Sequence, residues 1–243
     1  MTVRNKIKAL YDLSHSKNYR SIDELQVNSD SHKHYCSILK KITLGFQHKI
    51  SVLDLGCGTG RYFYCLKNVE RLVGIDISPF MLQYARNPLK KEKIEVNTLI
   101  FLICADIFEV DFLCSFDFIY SIGVLGEYSP FDLHICNKLF DWLKPKGILF
   151  FTVVDIASRP PSKKRRVMKF AYSCPLLSSM FKNKRDDRWE SCYMTETELR
   201  GIMENSKFVN YQISRYISTS HWKGAHYECV AIKDTEALSK GYV

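Results

Sequence analysis

Residues 51–86 read SVLDLGCGTGRYFYCLKNVERLVGIDISPFMLQYAR, and this stretch predicts the fold. The apolar run at 52–55 is typical of a buried parallel strand. The glycine-rich turn GCGTG follows, and residues 61–67 are expected to form a helix. A second apolar run, 72–75, ends at Asp76. This order of strand, glycine turn, helix and acid-terminated strand is the plan of a nucleoside-binding half-Rossmann unit.

The glycine turn and the acid after it indicate which nucleoside is bound. Glycine permits positive φ angles and a close approach of the ligand to the backbone. Asp76 is placed to accept hydrogen bonds from the two hydroxyls of a ribose. A dinucleotide site would instead show G-x-G-x-x-G, with a helix N-terminus that cradles a pyrophosphate. An acid at the head of the loop repels a pyrophosphate but suits an ammonium group. The observed pattern is D-x-G-x-G-x-G, formed by Asp54, Gly56, Gly58 and Gly60.

This pattern resembles the class I S-adenosylmethionine-dependent methyltransferases of the small-molecule and natural-product type. The resemblance extends through a third strand that ends near Asp106, a fourth strand at 116–121, and a Lys-Pro-Lys-Gly turn before a fifth strand at 148–154. It implies S-adenosyl-L-methionine as cofactor, S-adenosyl-L-homocysteine as product, and no metal. The residues that it implies for cofactor binding are Asp54, Gly56, Cys57, Gly58, Gly60, Asp76, Ile77, Met81, Asp106, Ile107 and Ile122.

The resemblance also implies an α/β, Rossmann-like three-layer sandwich. Its seven-stranded sheet is expected to be mostly parallel, with an antiparallel edge strand. We expect a single methyltransferase domain over residues 1–243. Its parts are a helical cap at 1–49, the cofactor-binding core at 50–157, a basic and apolar lid after strand five at 158–193, and a C-terminal helix with two closing strands at 194–243.

Two helix starts can be predicted from the residues themselves. Ser78 is a candidate N-cap because Pro79 follows it at the first helical position. Thr195 and Glu198 have the spacing of a capping box. Helices are therefore expected to begin at these two points.

The turn after the fourth strand bears on the methyl acceptor. It reads Ser-Ile-Gly-Val at 121–124, without the N-P-P-Tyr motif of nucleic-acid base methyltransferases. Glu127 and Tyr128 are predicted to orient the acceptor, with helix N-capping as the alternative role of Glu127. A carboxylate acceptor would need no general base. Further candidates to line the acceptor site, with packing in the core as the alternative for the tyrosines, are Tyr11, Tyr19, Arg159 and Trp189.

The positive charge is concentrated in one segment. The chain of 243 residues has a formal net charge of +9. Residues 158–188 hold ten Lys and Arg but two Asp, whereas residues 50–157 are mildly acidic. A local excess of charge gives information about binding partners rather than about the fold. It favours a lid over an anionic or amphiphilic acceptor; a solvated surface hairpin and a peripheral membrane contact are the alternatives.

The cysteines and the hydropathy suggest a compartment. Nine cysteines are scattered without a C-x-x-C pair, which predicts reduced thiols and neither a metal site nor a disulfide framework. No window has the roughly 18–20 apolar residues of a membrane span, and the N-terminus lacks the apolar core of a secretory signal. We therefore expect a cytoplasmic protein.

Together these features predict methyl transfer to an oxygen or nitrogen of a small-molecule or natural-product acceptor. The charge suggests an acceptor, either a small molecule or a peptide-like substrate, with an anionic group such as a carboxylate. The alternatives are an RNA methyltransferase, with nucleic acid as the less expected partner, and a non-catalytic protein that binds S-adenosylmethionine. The oligomeric state stays open.

Overall fold

The computed structural model describes residues 12–127, 129–158, 192–218 and 224–234. Seven strands form one sheet in the order β3-β2-β1-β4-β5-β7-β6. The strands are β1 Ile50–Leu55, β2 Val69–Asp76, β3 Leu99–Cys104, β4 Phe116–Ser121, β5 Leu143–Val154, β6 Asn210–Ser218 and β7 Gly224–Ile232. The helices are α1 Leu13–Gln26, α2 Asp30–Leu44, α3 Pro79–Ala85, α4 Leu133–Trp142 and α5 Glu196–Glu204, with 3₁₀ turns at Phe63–Cys65, Lys91–Lys93 and Ile156–Ser158.

The sheet is parallel from β3 through β5 and antiparallel at β7. β1 pairs in parallel with β2 on one side and with β4 on the other, so the strand order reverses direction at β1 and β4. β7 is antiparallel to both of its neighbours, β5 and β6. This arrangement confirms the predicted Rossmann-like sheet, including its antiparallel closure. In such sheets ligands bind at the carboxyl ends of the strands beside the reversal point.

Helices cover both faces of the sheet because successive strand residues point to opposite sides. Val52 packs with α2, α3 and the 3₁₀ turn at Phe63–Cys65 on one face. Leu53 packs with α4 and α5 on the other face. Both residues are fully buried. A central strand that is apolar on both faces is what the unbroken run at 52–55 predicts.

The predicted helix over 61–67 is wrong, since the chain makes only the 3₁₀ turn Phe63–Cys65 there. Asn68 has a positive φ of 59° and β2 begins at the next residue, so the connection is too short for several α-helical turns. The face that this helix would cover is instead occupied by α2, whose buried Tyr35 and Leu39 belong to the same core cluster.

The two predicted helix starts are confirmed. The Ser78 side chain accepts a hydrogen bond from the backbone N–H of Met81, 3.2 Å away. Thr195 and Glu198 form a complete capping box at the start of α5. Of the predicted helical cap, α1 and α2 fall within the described residues. No helix in those residues is long and apolar enough to cross a membrane.

Candidate active site

The glycine loop folds back onto the acid that ends β2. Asp76 Oδ2 accepts a hydrogen bond from the backbone N–H of Gly58 at 2.8 Å, and Oδ1 accepts one from Ser78 at 2.9 Å. The two residues that start the loop donate their backbone N–H groups to the carbonyl of Ile75, each at 2.8 Å. The end of β2 therefore fixes the loop through backbone donors, which do not depend on the side chains of the loop.

The loop needs glycine for two separate physical reasons. Gly58 has a φ of +54°, a left-handed conformation that glycine adopts without steric cost. Gly56 also has a positive φ, and a Cβ atom there would lie 2.3 Å from a methyl group of Val124. Gly56 thus lets the loop after β1 pack directly against the loop after β4.

Two carboxylates lie at the carboxyl ends of β1 and β2, close enough for the charge of Asp76 to act on Asp54. Asp54 is 4 % exposed and accepts a hydrogen bond from Tyr120 Oη at 2.7 Å. Burial raises its pKa to about 7; the Tyr120 hydroxyl works in the opposite direction, and the charge of Asp76 adds to the rise. Desolvation of its carboxylate also raises the pKa of Asp76 to about 6, against the effect of its two backbone donors. Within the described residues neither carboxylate has an ion-pair partner, so the site suits a cationic ligand.

The other residues predicted for the cofactor surround this loop or follow β3. Met81 is buried, and its methyl group lies 3.5 Å from the position of a Cβ on Gly58. Asp106 follows β3 by two residues and accepts a hydrogen bond from the backbone N–H of Phe108 at 2.9 Å. Cys57 and Ile107 are buried and Ile77 and Ile122 are half-buried.

A buried cluster that the sequence interpretation missed joins α1 to the glycine loop. Asp23 of α1 is 1 % exposed and lies 2.5 Å from Thr59 Oγ1, whose hydroxyl donates to it. Its other oxygen pairs with Arg61 Nη1 at 2.9 Å. Removing one partner of a buried ion pair typically costs about 3–5 kcal/mol. Asp23 and Arg61 are 38 positions apart, and no sequence pattern connects residues at that distance. The one available signal was an arginine directly after the glycine loop.

The loop after β4 is anchored mainly by backbone contacts. Gly123 donates its N–H to Thr152 Oγ1 at 3.0 Å. The carbonyl of Glu127 accepts a hydrogen bond from the N–H of Cys192 at 3.4 Å. The N-cap of α4 is Asp132, so the alternative role of Glu127 as a helix cap is wrong. Glu127 is half-buried beside Gly123, with a carboxylate oxygen 3.6 Å from the position of a Cβ there.

The sequence also matches a known protein family. Residues 47–215 match the model of a family described as a methyltransferase domain. The chain belongs to that family. The match covers both carboxylates, the glycine loop and the loop after β4, and it confirms the resemblance to S-adenosylmethionine-dependent methyltransferases.

Individual relatives of this methyltransferase are distant. The malonyl-[acyl-carrier protein] O-methyltransferase of Acetivibrio thermocellus is 27% identical over 62% of this chain and 50% of its own length. The tRNA U34 carboxymethyltransferase of Ruthia magnifica is 24% identical over 71% of this chain and 52% of its own length. The chain therefore spans about half the length of these curated relatives.

A solved structure shows the same fold. The phosphoethanolamine N-methyltransferase 2 of Haemonchus contortus, in complex with phosphomonomethylethanolamine and S-adenosylhomocysteine, superposes with a TM-score of 0.68. The superposition covers 97% of this chain and 61% of that one at 13% identity. At this identity the likeness concerns the fold alone.

The predicted acceptor residues of this methyltransferase are only partly described. Tyr19 lies on α1, half-buried, close enough for its charge state to act on Arg61. The remaining four, which lie outside the described residues, are Tyr11, Tyr128, Arg159 and Trp189.

The prediction that all cysteines are reduced is wrong for one pair. Cys36 of α2 and Cys65 of the 3₁₀ turn are joined by a disulfide. Beside them, His32 Nε2 lies 2.7 Å from Tyr64 Oη. Burial, with the charges of Arg61 and Lys90, lowers the pKa of His32 to about 4, so its imidazole is neutral at pH 7. A search for C-x-x-C pairs cannot find this cluster, because its members come from separate elements.

Proposed function

We propose that this chain transfers a methyl group from S-adenosylmethionine to an oxygen or nitrogen of a small-molecule acceptor that bears an anionic group. The observation that carries the methyl-transfer part is the pair of buried carboxylates at the reversal point of the sheet: Asp76, which bonds to the glycine loop, and Asp54, which bonds to Tyr120. The family match supports the same reaction.

The described residues fit the cofactor in charge and in hydrogen-bonding capacity. S-adenosylmethionine carries an ammonium group, ribose hydroxyls and a sulfonium that activates the methyl group. Asp54 would hold the cationic amino-acid end, since ionising its carboxylate next to a cation relieves the cost of burial. Asp76 keeps lone pairs for the ribose beyond its two backbone bonds.

The chain's part in catalysis is to position the acceptor and exclude water. A nucleophile held about 3 Å from the methyl carbon gains most of its rate advantage from orientation. The loop after β4, with Gly123 and Glu127, lies beside the cofactor loop through the contact of Val124 with Gly56. We propose that this loop positions the acceptor and that Glu127 orients it without acting as an obligatory base.

The anionic group of the acceptor is inferred from charge. Residues 158–188 carry eight net positive charges. Ser158, the first residue of this segment, and Cys192, four positions after its end, both bond to the carboxyl-end region of β4 and β5. The two described residues nearest the undescribed part of the chain therefore lie beside the proposed acceptor site. A malonyl group, the acceptor named for one relative, likewise ends in a carboxylate.

Transfer to RNA is the second candidate, favoured by the basic segment and by the relative that acts on tRNA. The turn at 121–124 speaks against it, since it lacks the motif that grips an exocyclic amine. RNA binding through a basic surface would weaken steeply with salt. We also propose that the protein is cytoplasmic, a reducing compartment in which the Cys36–Cys65 pair would be held as thiols.

The deciding experiment is calorimetric titration of the purified chain with S-adenosylhomocysteine, followed by methyl transfer from labelled S-adenosylmethionine to a panel of acceptors. The panel contains carboxylic acids, their amides, phosphorylated amines and a tRNA pool. We expect micromolar binding of S-adenosylhomocysteine and transfer to anionic acceptors but not to the matched amides. A folded chain that does not bind S-adenosylhomocysteine would overturn the proposal. Labelling of tRNA alone, lost at high salt, would replace the small-molecule acceptor with RNA.

A further inference from the structure

Three side chains that methyl transfer does not use meet where α2 touches the 3₁₀ turn. His32 and Cys36 lie four residues apart on α2 and therefore share one face of the helix. Cys65 reaches them from the turn that follows the glycine loop. One ligand atom from each of these residues lies within 4.8 Å of the other two. His32 and Cys65 are buried and Cys36 is half-buried.

We propose that reduction of the Cys36–Cys65 bond creates a binding site for one thiophilic divalent metal ion such as Zn²⁺, with His32 as the third protein ligand. Two cysteine sulfurs and an imidazole are a ligand set that zinc prefers. The ion would join α2 to the end of the glycine loop. It would thus have a structural role and no part in the methyl-transfer reaction.

The distance between Cys36 and His32 fits this ion, and the two sulfurs must separate to about 3.8 Å once their bond is reduced. Bonds of about 2.3 Å to sulfur and about 2.0 Å to nitrogen, in a tetrahedral site, place S and N ligands about 3.5 Å apart. Cys36 Sγ and His32 Nε2 are 3.4 Å apart. The next polar atom is Tyr64 Oη, 2.7 Å from the imidazole nitrogen and 3.6 Å from the sulfur. Three protein ligands leave a fourth position that this hydroxyl or a water can fill.

The charges around the cluster favour a dithiolate site. Arg61 and Lys90 are close enough to act on His32, so an added dication alone would be repelled. Two thiolates balance a divalent ion, and the metal-bound cluster is then neutral overall. A site built from neutral ligands would leave the two positive charges of the ion unbalanced. The two cysteines are therefore essential to the proposed site.

The conversion of the disulfide form into the metal-bound form takes two steps. A thiol reductant supplies two electrons and two protons, which convert the Cys36–Cys65 bond into two thiols while the reductant becomes a disulfide. The metal ion then displaces both thiol protons and forms two metal–sulfur bonds. Disulfide and metal-bound forms are mutually exclusive, because a sulfur bonded to its partner has no thiolate to offer.

The test uses the untagged full chain, reduced with dithiothreitol and freed of reductant by anaerobic gel filtration. It is titrated with Co²⁺ as a spectroscopic probe, and then with Zn²⁺ in competition with a chromogenic chelator. We expect one ion per chain, thiolate-to-cobalt charge-transfer absorption, and loss of this absorption when Zn²⁺ is added. The oxidised chain should take up no ion at this site.

Variants assign the ligands. Cys36→Ser, Cys65→Ser and His32→Gln should each weaken Zn²⁺ binding at least a hundredfold. Cys104→Ser, which removes an exposed free thiol elsewhere, should leave binding unchanged. Zn²⁺ should raise the thermal unfolding midpoint of the reduced wild type but not of the three variants.

Two results would overturn the proposal. One is a reduced, folded wild type that shows no thiolate-to-cobalt absorption, a result that does not depend on whether any variant folds. The other is zinc uptake by the oxidised chain, or by Cys36→Ser, as tight as uptake by the reduced wild type.

Discussion

At the carboxyl ends of β1 and β2 two carboxylates face a glycine loop, whereas the ends of β4 and β5 are joined mostly by backbone groups and by partners from distant parts of the chain. On the first side Asp76 bonds to residues 18 and two positions away. On the second side Asp155, which follows β5, is held by Arg215, 60 positions away. We call these the cofactor side and the acceptor side.

We infer from this difference that cofactor binding is fixed by the fold, whereas the choice of acceptor can vary. On the cofactor side the glycine loop is held to Asp76 by a backbone donor, while Tyr120 and Asp23 bond to Asp54 and Thr59 from elsewhere in the chain. On the acceptor side the loop after β4 bonds to Cys192, which lies four positions after the end of the basic segment 158–188. If the proposed acceptor site is right, we expect changes in that segment to alter the choice of acceptor without disturbing the cofactor loop. The following predictions test this separation, from the largest expected effect to the smallest.

Asp76→Ala should cause the largest loss on the cofactor side. It removes the acceptor of two backbone hydrogen bonds and the proposed partner of the ribose. Hydrogen bonds to a charged group contribute about 1.5–3 kcal/mol each, so we expect about a thousandfold weaker binding of S-adenosylhomocysteine. Calorimetric titration measures this, with Asp141→Asn, on the surface of α4, as control. Binding within tenfold of the wild type would contradict the proposed role.

Asp23→Asn should lower the free energy of unfolding more than it lowers the affinity for S-adenosylhomocysteine. Its loss leaves Arg61 enclosed without its carboxylate, at a cost of about 3 kcal/mol in the free energy of unfolding. Urea denaturation measures this cost. The matched control is Glu196→Gln, which breaks the exposed pair with Arg200 and should change the free energy by less than about 1 kcal/mol. Equal costs for the two variants would show that α1 is not anchored to the glycine loop by this pair.

The same contrast explains how much the sequence could predict. The strands and the Thr195 capping box follow from short-range patterns, and so does the placing of Asp76 against the glycine loop. The helix predicted after the glycine loop failed because α2, from another part of the chain, occupies its place. The pairs Asp23–Arg61 and Cys36–Cys65 join residues far apart in sequence, and single-residue propensities carry no information on such partners.

Binding of S-adenosylhomocysteine should depend on pH through the cofactor side. Folding raises the pKa of Asp54 from 3.8 to about 7, so the free chain loses stability as pH rises from about 4 to about 7. A cationic ligand binds the ionised form, so its affinity should rise over the upper part of that range. We expect binding about tenfold weaker at pH 6 than at pH 8.

Titrations across this range in several buffers test the pH dependence. Asp54→Asn should bind more weakly throughout and should keep only the pH dependence centred near pH 6, where Asp76 titrates. An unchanged pH profile in Asp54→Asn would assign the dependence to another group.

Glu127→Gln should have the smallest effect on cofactor binding. Its effect should be confined to the acceptor side. Its backbone bond to Cys192 does not involve the side chain, so the loop after β4 should keep its shape. We expect S-adenosylhomocysteine affinity within twofold of the wild type. Turnover of an identified acceptor should fall about tenfold, since a group that only orients the acceptor contributes less than a general acid or base, for which about 10²–10⁴-fold is typical. A matched loss of cofactor affinity would show that the two sides are coupled, and the separation drawn from their contacts would then fail.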